Sequence, residues 1–515
     1  MAILFWLGAI ALAIYAYLKL WVFTYWKRRG VPHDEPLVPL GNMLPSLLGK
    51  ASLGDTVKAS YERHKHRPYH GIYMFHQPIL VINEPDLIKH VLIKDFNKFR
   101  DRGLYHNEQV DPLSANLFFL PGEKWRQLRS KLSPTFTSGK LKQMYPLLRE
   151  IGDELAKVAR LEVERSPVVE LKDLIGRYTT DSISSIAFGF NSNSLEDPGS
   201  DFKRYGRKAI ENSSVRQGLG MFAPVVLDAL RVPLFYPDVI DFFTGTFRDM
   251  MERRRRDPGR RDFLSLLIQL IDTGVIEADE KVIGNGNCND SAKHREKSDD
   301  GRISVAQAQA QAFVFFLAGF ETTSSTVTYC LYELALRPEL QDRLYEELLA
   351  ASKLPGGFTY ERIINELEYL HMVFNETLRK HPSVPFLNRV CIEDTRLPGT
   401  DLELQKGQAT MICVSGLHRD PDIFPDPDRF DPERFTKEAV AARNPYVYLP
   451  FGDGPRVCIG TRFGVLQSKI ALISLLMNFR ITTCDKTPIP IGYSKCAVVQ
   501  APEGGVYVKF EKRNK

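Results

Sequence analysis

The sequence predicts a mainly α-helical body with small β-sheets, preceded by one N-terminal transmembrane helix. Three observations predict it. Residues 1–26, MAILFWLGAIALAIYAYLKLWVFTYW, form an apolar run whose only charge is Lys19. Helical periodicity then dominates, in 123–132 (EKWRQLRSKL), 306–336 and 339–352 (ELQDRLYEELLAAS). Strand composition is confined to short pieces. These are 71–83 (GIYMFHQPILVIN), ending at the turn-like Asn83-Glu84-Pro85, and stretches near 390–415 and 493–510.

Composition sets the outer limits. The 515 residues are 43% hydrophobic and 25% charged, which excludes a disordered chain, a collagen and a polytopic membrane protein. Such a length suits roughly three domains of about 150 residues or one large enzyme core. The 68 basic and 63 acidic residues leave a net charge of +5, which makes no case for nucleic acid. Seven cysteines, with no C-x-x-C pair, do not make a disulfide framework. They read as reduced thiols facing a cytosol, one of them special.

The N-terminal run can cross a hydrocarbon core of about 30 Å. Lys19 can snorkel, and Trp21, Tyr25 and Trp26 suit a headgroup belt. Lys27, Arg28 and Arg29 follow, and nothing basic precedes, so the positive-inside rule puts the body in the cytosol. Ala11 and Ala13 resemble a signal-peptidase site, but the missing basic n-region and the apolar length argue against cleavage. The sequons at Asn212, Asn289 and Asn375 are then chance matches. Pro32, Pro36 and Pro39 make 27–45 a stiff, basic linker. The expected division is an anchor, 1–26, a linker, 27–45, and a folded body, 46–515.

Two regions interrupt the body. Residues 284–302, GNGNCNDSAKHREKSDDGR, are polar and are expected to form a mobile loop. Residues 219–243 are apolar and broken by Pro224, Pro233 and Pro237. They read either as a buried helix–turn–helix or as a second membrane contact. The following MERRRR (251–256) reads as a solvated helix face that can also meet anionic lipid.

The chemistry centres on PFGDGPRVCIG (450–460). Cys458 follows a glycine-rich turn and opens an expected helix over 459–472. Glycines let backbone approach a flat ligand and aim N–H groups at the sulfur, which stabilises a thiolate. Phe451, Gly454, Arg456, Cys458 and Gly460 resemble the haem-binding signature of the cytochrome P-450 superfamily. Three further motifs stand in that family's order, so the resemblance covers nearly the whole chain.

The resemblance implies the P-450 fold, a haem b (iron protoporphyrin IX) cofactor and Cys458 as the axial iron ligand. In Ala318-Gly319-Phe320-Glu321-Thr322-Thr323, it implies clearance beside the haem at Gly319 and proton delivery by Thr322 and Glu321. The alternative is that Thr and Glu merely back-bond or face solvent. Glu376 and Arg379 share a helix face and should form a buried structural triad with Arg434. Trp125 and Arg129, one turn apart, resemble a haem-propionate pair. Arg456 and Arg389 are expected to hold propionates too, with Arg102 a further candidate.

The membrane anchor, SPTFTSGKLK (133–142) and AGFETTSS resemble the microsomal branch holding insect family-6 and vertebrate family-3 enzymes, with FVFFLAGFETTSST and CLYELAL on the insect side. That branch implies an endoplasmic reticulum membrane enzyme oxidising plant toxins and insecticides. Expected pocket residues are Leu117, Phe118 and Phe119 in the 104–122 loop, Phe313, Phe316 and Ala318 on the central helix, and Val384, Phe386 and Leu387. The expected reaction inserts one oxygen atom of O2 into lipophilic molecules. No fused dinucleotide or flavin fingerprint is present, so electrons should come from a separate NADPH–cytochrome P-450 reductase, with cytochrome b5 as a further candidate donor. Lys131, Arg443 and Arg462 are candidate docking charges. The rival readings are a narrow-specificity hormone or lipid monooxygenase, a haem-thiolate isomerase, and a non-catalytic lipophile-binding haem protein.

Overall fold

A computed structural model describes residues 1–210, 214–257, 262–274, 301–495 and 498–513. Positions 284–300 of the expected loop, and the sequons at Asn212 and Asn289, lie outside these described residues. Asn375 is partly buried, and its side-chain oxygen accepts from the Tyr448 hydroxyl at 3.0 Å.

The N-terminal apolar helix runs Ala2–Arg28, 27 residues with none of its apolar window buried against the body. At 1.5 Å per residue it measures about 40 Å, enough to cross a membrane. Its last turn departs from expectation. Trp26 does not sit in a headgroup belt but is fully buried in the body. Its indole N–H donates to the Ile72 carbonyl at 3.1 Å, and its backbone N–H donates to the Tyr73 hydroxyl at 3.0 Å. Gly71 makes the room, since a Cβ there would stand 2.4 Å from the ring. A large aromatic with one donor is better satisfied by a core slot and a strand carbonyl than by an interface.

The linker then lies along the first strand, through bridges His33↔Gly71 and Gly41↔Met74. Arg63 and His64 hold Asp34 there. Strands Tyr69–Met74 and Gln77–Ile82 form a hairpin. The second strand pairs in parallel with Ala409–Ile412, which pairs antiparallel with Leu387–Val390. A second sheet joins Val168–Glu170, Tyr507–Lys512 and Phe479–Thr482. The expected 493–510 strand therefore begins only at Tyr507.

Helices make up most of the remainder. The expected segments appear as Gly122–Leu132, Val305–Ala335, Pro338–Ser352 and Thr461–Leu476. The central helix, Val305–Ala335, starts in a capping box of Ser304 and Gln307. It packs against Leu171–Ile183, Thr461–Leu476, Glu368–Lys380 and Pro237–Arg256. Such encirclement explains why it is apolar on all sides.

In 219–243, Pro224 and Pro237 each open a helix, where a missing N–H costs nothing. Phe222, Leu227, Phe235, Val239 and Phe243 are buried, while Val225 and Leu230 are 75% and 67% exposed. The buried helical reading holds for one face, and the other face is open to solvent. In the arginine run, Arg254 pairs with Asp262 and Arg255 with Asp272, each at 2.6 Å.

Candidate active site

The cysteine loop is shaped by backbone that only glycine tolerates. Gly454 has φ of +70°, and a Cβ there would lie 2.0 Å from the Leu92 carbonyl oxygen. The Cys458 N–H donates to the Phe451 carbonyl at 3.0 Å. The sulfur stands at the N-terminal end of Thr461–Leu476, where the helix dipole favours negative charge. Burial pushes the thiol up, while the Gly460 N–H, the Thr461 hydroxyl and the charges of Arg129 and Arg102 pull it down. Cys458 retains accessible surface even though burial dominates its thiol. Accessible surface on a sulfur that protein otherwise encloses implies a void beside it.

Four guanidiniums gather beside it. Arg456 donates from Nε to the Arg100 carbonyl at 2.9 Å and from Nη2 to the Leu120 carbonyl at 3.1 Å. Its guanidinium lies 3.9 Å from the Trp125 ring centroid, and its Nη1 is buried with no partner. Arg389 is buried too, with Nη1 on the Asn388 carbonyl at 2.8 Å and Nε unpartnered. Arg102 donates to the Phe118 carbonyl at 3.0 Å and covers the Phe118 ring. Burial, then mutual repulsion, pushes Arg456 and Arg389 well below the ordinary range, and burial lowers Arg102 and Arg129 against the opposing pull of Cys458. Only Asp101, 3.7 Å from Arg456, answers with a carboxylate among the charges acting on Arg456. Guanidiniums stay protonated, so this cluster calls for anionic charge. Orphaned donors beside a cysteine suit a flat dianionic cofactor bound through sulfur. The Trp125 ring lies under the Arg456 guanidinium.

Along the central helix, burial breaks around Ala318. Ala318 is exposed and Val314, Leu317, Gly319 and Thr322 are partly so, between the buried stretches 308–313 and 323–335. The expected role of Gly319 is corrected here. A Cβ at 319 would meet Ile183 Cδ1 at 3.0 Å, so the glycine makes room for a neighbouring helix. Ala318 is the small residue at the open face. The Thr322 hydroxyl donates to the Ala318 carbonyl at 2.7 Å, the helical back-bond weighed from sequence. Its oxygen keeps lone pairs to accept a proton donor.

Glu321 points elsewhere. It is buried, and its Oε1 is 2.8 Å from Lys172 Nζ. Lys172 also donates to Ser324 and Ser325 at 2.7 and 2.8 Å. Sequence reasoning missed Lys172 because it lies 149 residues away in an unremarkable helix start.

Arg379 grips Glu376 bidentately, at 2.7 and 2.8 Å, with both side chains fully buried. Arg434 Nε stands 3.6 Å from Glu376, and the Asp431 N–H donates to it at 2.8 Å. Burial raises Glu376, and Arg379 pulls it back. The expected triad is assembled as a structural clamp.

The expected pocket divides. Phe118, Phe119, Ala318, Val384 and Leu387 keep accessible surface. Leu387 lies against Gly452, its methyls 3.8 Å from where a Cβ would be. Phe313 and Phe316 do not line the space. Both are fully buried, Phe313 among Phe235 and Phe243 at 4.8 and 5.0 Å. Edge-to-face packing of helix against helix claims them. Leu117 and Phe386 are buried likewise. Among the docking charges, Arg443 covers the Phe424 and Phe435 rings and is half-buried, so it is a packing residue. Arg462 is exposed and donates to Ser138.

The family model described as Cytochrome P450 matches residues 47–510. The chain belongs to the cytochrome P450 family. Cytochrome P450 6k1 of Blattella germanica is 41% identical over 513 residues, covering 98% of this chain and 96% of the relative. Cytochrome P450 6a2 of Drosophila melanogaster is 40% identical, covering 97% of each. Cytochrome P450 6A1 of Musca domestica is 38% identical, covering 99% of this chain and 97% of the relative. This P450 is a haem monooxygenase related to insect family-6 members. As a P450 it takes a redox partner, O2 and a lipophilic substrate in general.

Proposed function

We propose that this P450 is a broad-specificity monooxygenase of lipophilic xenobiotics, such as plant toxins or insecticides, held on the endoplasmic reticulum with its body in the cytosol. One observation carries the reading. A cysteine near a helix N-terminus keeps accessible surface beside four arginines, two of which hold buried unpartnered nitrogens, and beside apolar side chains that also keep surface. In this reading 1–26 is the anchor, 27–45 the linker and 46–515 the haem-thiolate domain. Val225 and Leu230 supply a second lipid contact.

Haem b, when bound through Cys458, supplies the oxygen activation and transfer. The chain supplies the rest. Gly460 N–H and the Thr461–Leu476 helix end stabilise the thiolate. Arg129, Arg389, Arg456 and Arg102 take the propionates, with Trp125 beneath Arg456. Thr322 Oγ1 accepts and orients a proton donor at the Ala318 opening, while Glu321, turned to Lys172, takes a structural part. Phe118, Phe119, Val384 and Leu387 exclude water and favour flat or bulky apolar substrates. Electrons come from an NADPH-dependent reductase, with cytochrome b5 as an alternative donor, through the Cys458 side near Lys131 and Arg462.

The test is product formation by membranes co-expressing the chain and a reductase, with and without NADPH. The panel is furanocoumarins, terpenoids, insecticides and fluorogenic ethers. NADPH-dependent oxygenated products from several chemotypes are expected. A single accepted class would replace broad detoxification with a narrow endogenous role. A Cys458→Ala protein that kept a wild-type reduced carbon monoxide spectrum would overturn the thiolate assignment.

A further inference from the structure

The 104–122 loop is tied on both sides. On the central helix, Gln311 donates to the Ala115 carbonyl at 3.0 Å and accepts the Leu117 N–H at 2.9 Å. Further hydrogen bonds tie it to 219–236. The Tyr105 N–H donates to the Gly220 carbonyl at 2.8 Å, and Asn107 donates to Asp228 at 2.5 Å. The Phe235 N–H donates to Asp111 Oδ2 at 3.0 Å.

Asp111 is an unusual side chain for this place. It is fully buried, and its Oδ1 has no partner. The Tyr105 hydroxyl is also buried without a partner, and the charge of Asp111 acts on it. Two unsatisfied polar groups make the contact costly to keep closed. Burial raises the Asp111 carboxyl to about 6, against the pull of backbone N–H groups that include those of Phe235 and Leu234.

What it holds is an aromatic relay. The Phe235 ring meets Phe313 edge-on at 4.8 Å and Phe119 at 6.2 Å. Phe119 in turn meets Phe118 at 5.3 Å, and both keep accessible surface. Phe313 is fixed in the core, so Phe235 is set from behind by one ring and at its backbone by one carboxylate.

We propose that Asp111 is a positioning residue that fixes the Phe235–Phe119 wall and thereby sets the bulk of ligand the pocket admits. The inference rests on the haem-thiolate reading. It requires an acceptor oxygen at 111, so Asn should serve as well as Asp.

The test uses the full-length holoprotein in membranes and two probes, imidazole and triphenylmethylimidazole, followed by stopped-flow Soret shifts. In Asp111→Ala the bulky probe should bind roughly tenfold faster, as expected where a moving wall limits access. Imidazole should bind at the wild-type rate, and Asp111→Asn should restore the wild-type rate for both. Equal acceleration of both probes, or none, in a variant with a normal carbon monoxide spectrum would overturn the proposal. If Asp111→Ala yields no holoprotein, Phe235→Leu keeps the backbone bond and trims the wall, and the same selective acceleration is required. A wild-type protein giving no Soret shift with imidazole would instead sink the haem reading.

Discussion

Lys172 Nζ lies 2.8 Å from Glu321 Oε1 and joins two helices beside the opening at Ala318 and Thr322. The carboxylate is buried and its partner is one-fifth exposed. Removing one partner of such a pair strands a charge. With partial screening at Lys172, Lys172→Met should cost about 2 kcal/mol. The double variant Lys172→Met/Glu321→Gln should recover most of it. Thermal unfolding of the three proteins checks this, and an unshifted single variant would mean the pair is solvent-screened.

Thr322→Ala should retain haem and a normal carbon monoxide spectrum while NADPH is consumed with little product. The relevant measurement is the ratio of product to NADPH. An unchanged ratio would remove Thr322 from proton handling and leave its back-bond to Ala318 as a purely helical feature.

Arg379→Lys should fail where a surface exchange would not. The fork geometry on Glu376 is lost, together with the bond to the His418 carbonyl at 2.9 Å. An incompletely paired buried carboxylate costs roughly 3–5 kcal/mol. The expected outcome is little holoprotein by absorbance, and near-normal yield would show that the triad does not hold the fold.

Trp26 makes the N-terminal apolar helix continuous with the body. A chain beginning after residue 22 keeps this side chain, whereas one beginning after residue 26 loses it. Emptying an aromatic core site costs roughly 3–5 kcal/mol. The shorter chain should therefore melt well below the longer one. Equal melting of the two would return Trp26 to the interface role.

Stability should fall on mild acidification. Burial holds His70 and His418 down to about 3, and both are fully enclosed. The unfolded chain binds these protons near pH 6.5, so stability is complete above that pH and is lost below it. At pH 5.5 each costs about 1.4 kcal/mol. Asp111, raised to about 6, titrates in the opposite sense and offsets about 0.8 kcal/mol. His381, held down to about 4, adds in the direction of loss. The net fall should be at least about 2 kcal/mol between pH 7.5 and 5.5. Urea midpoints across that range test it, and a flat profile would contradict it.

Local chemistry made much of the site legible. Gly454 and Cys458 stand four residues apart, and Glu376 and Arg379 three, so one turn of backbone already brings their partners within reach. Periodicity likewise placed the central helix, because an apolar run of that length has few other structures. The same reasoning misassigned Phe313 and Phe316. A helix enclosed on every side has no sequence mark for the face that opens onto a cavity.

By itself the sequence determined the glycine-rich cysteine loop, the Glu376–Arg379 pair, the N-terminal apolar helix and the helical class, since each depends on residues close along the chain. Only the tertiary structure decided that Glu321 turns to Lys172, that Ala318 and not Gly319 faces the opening, and that Trp26 belongs to the core. It also brought Asp111 to the backbone of Phe235. Each of those outcomes is a contest between distant neighbours for a buried charge, a void or a donor. Side-chain packing settles such contests, and no short-range pattern records them.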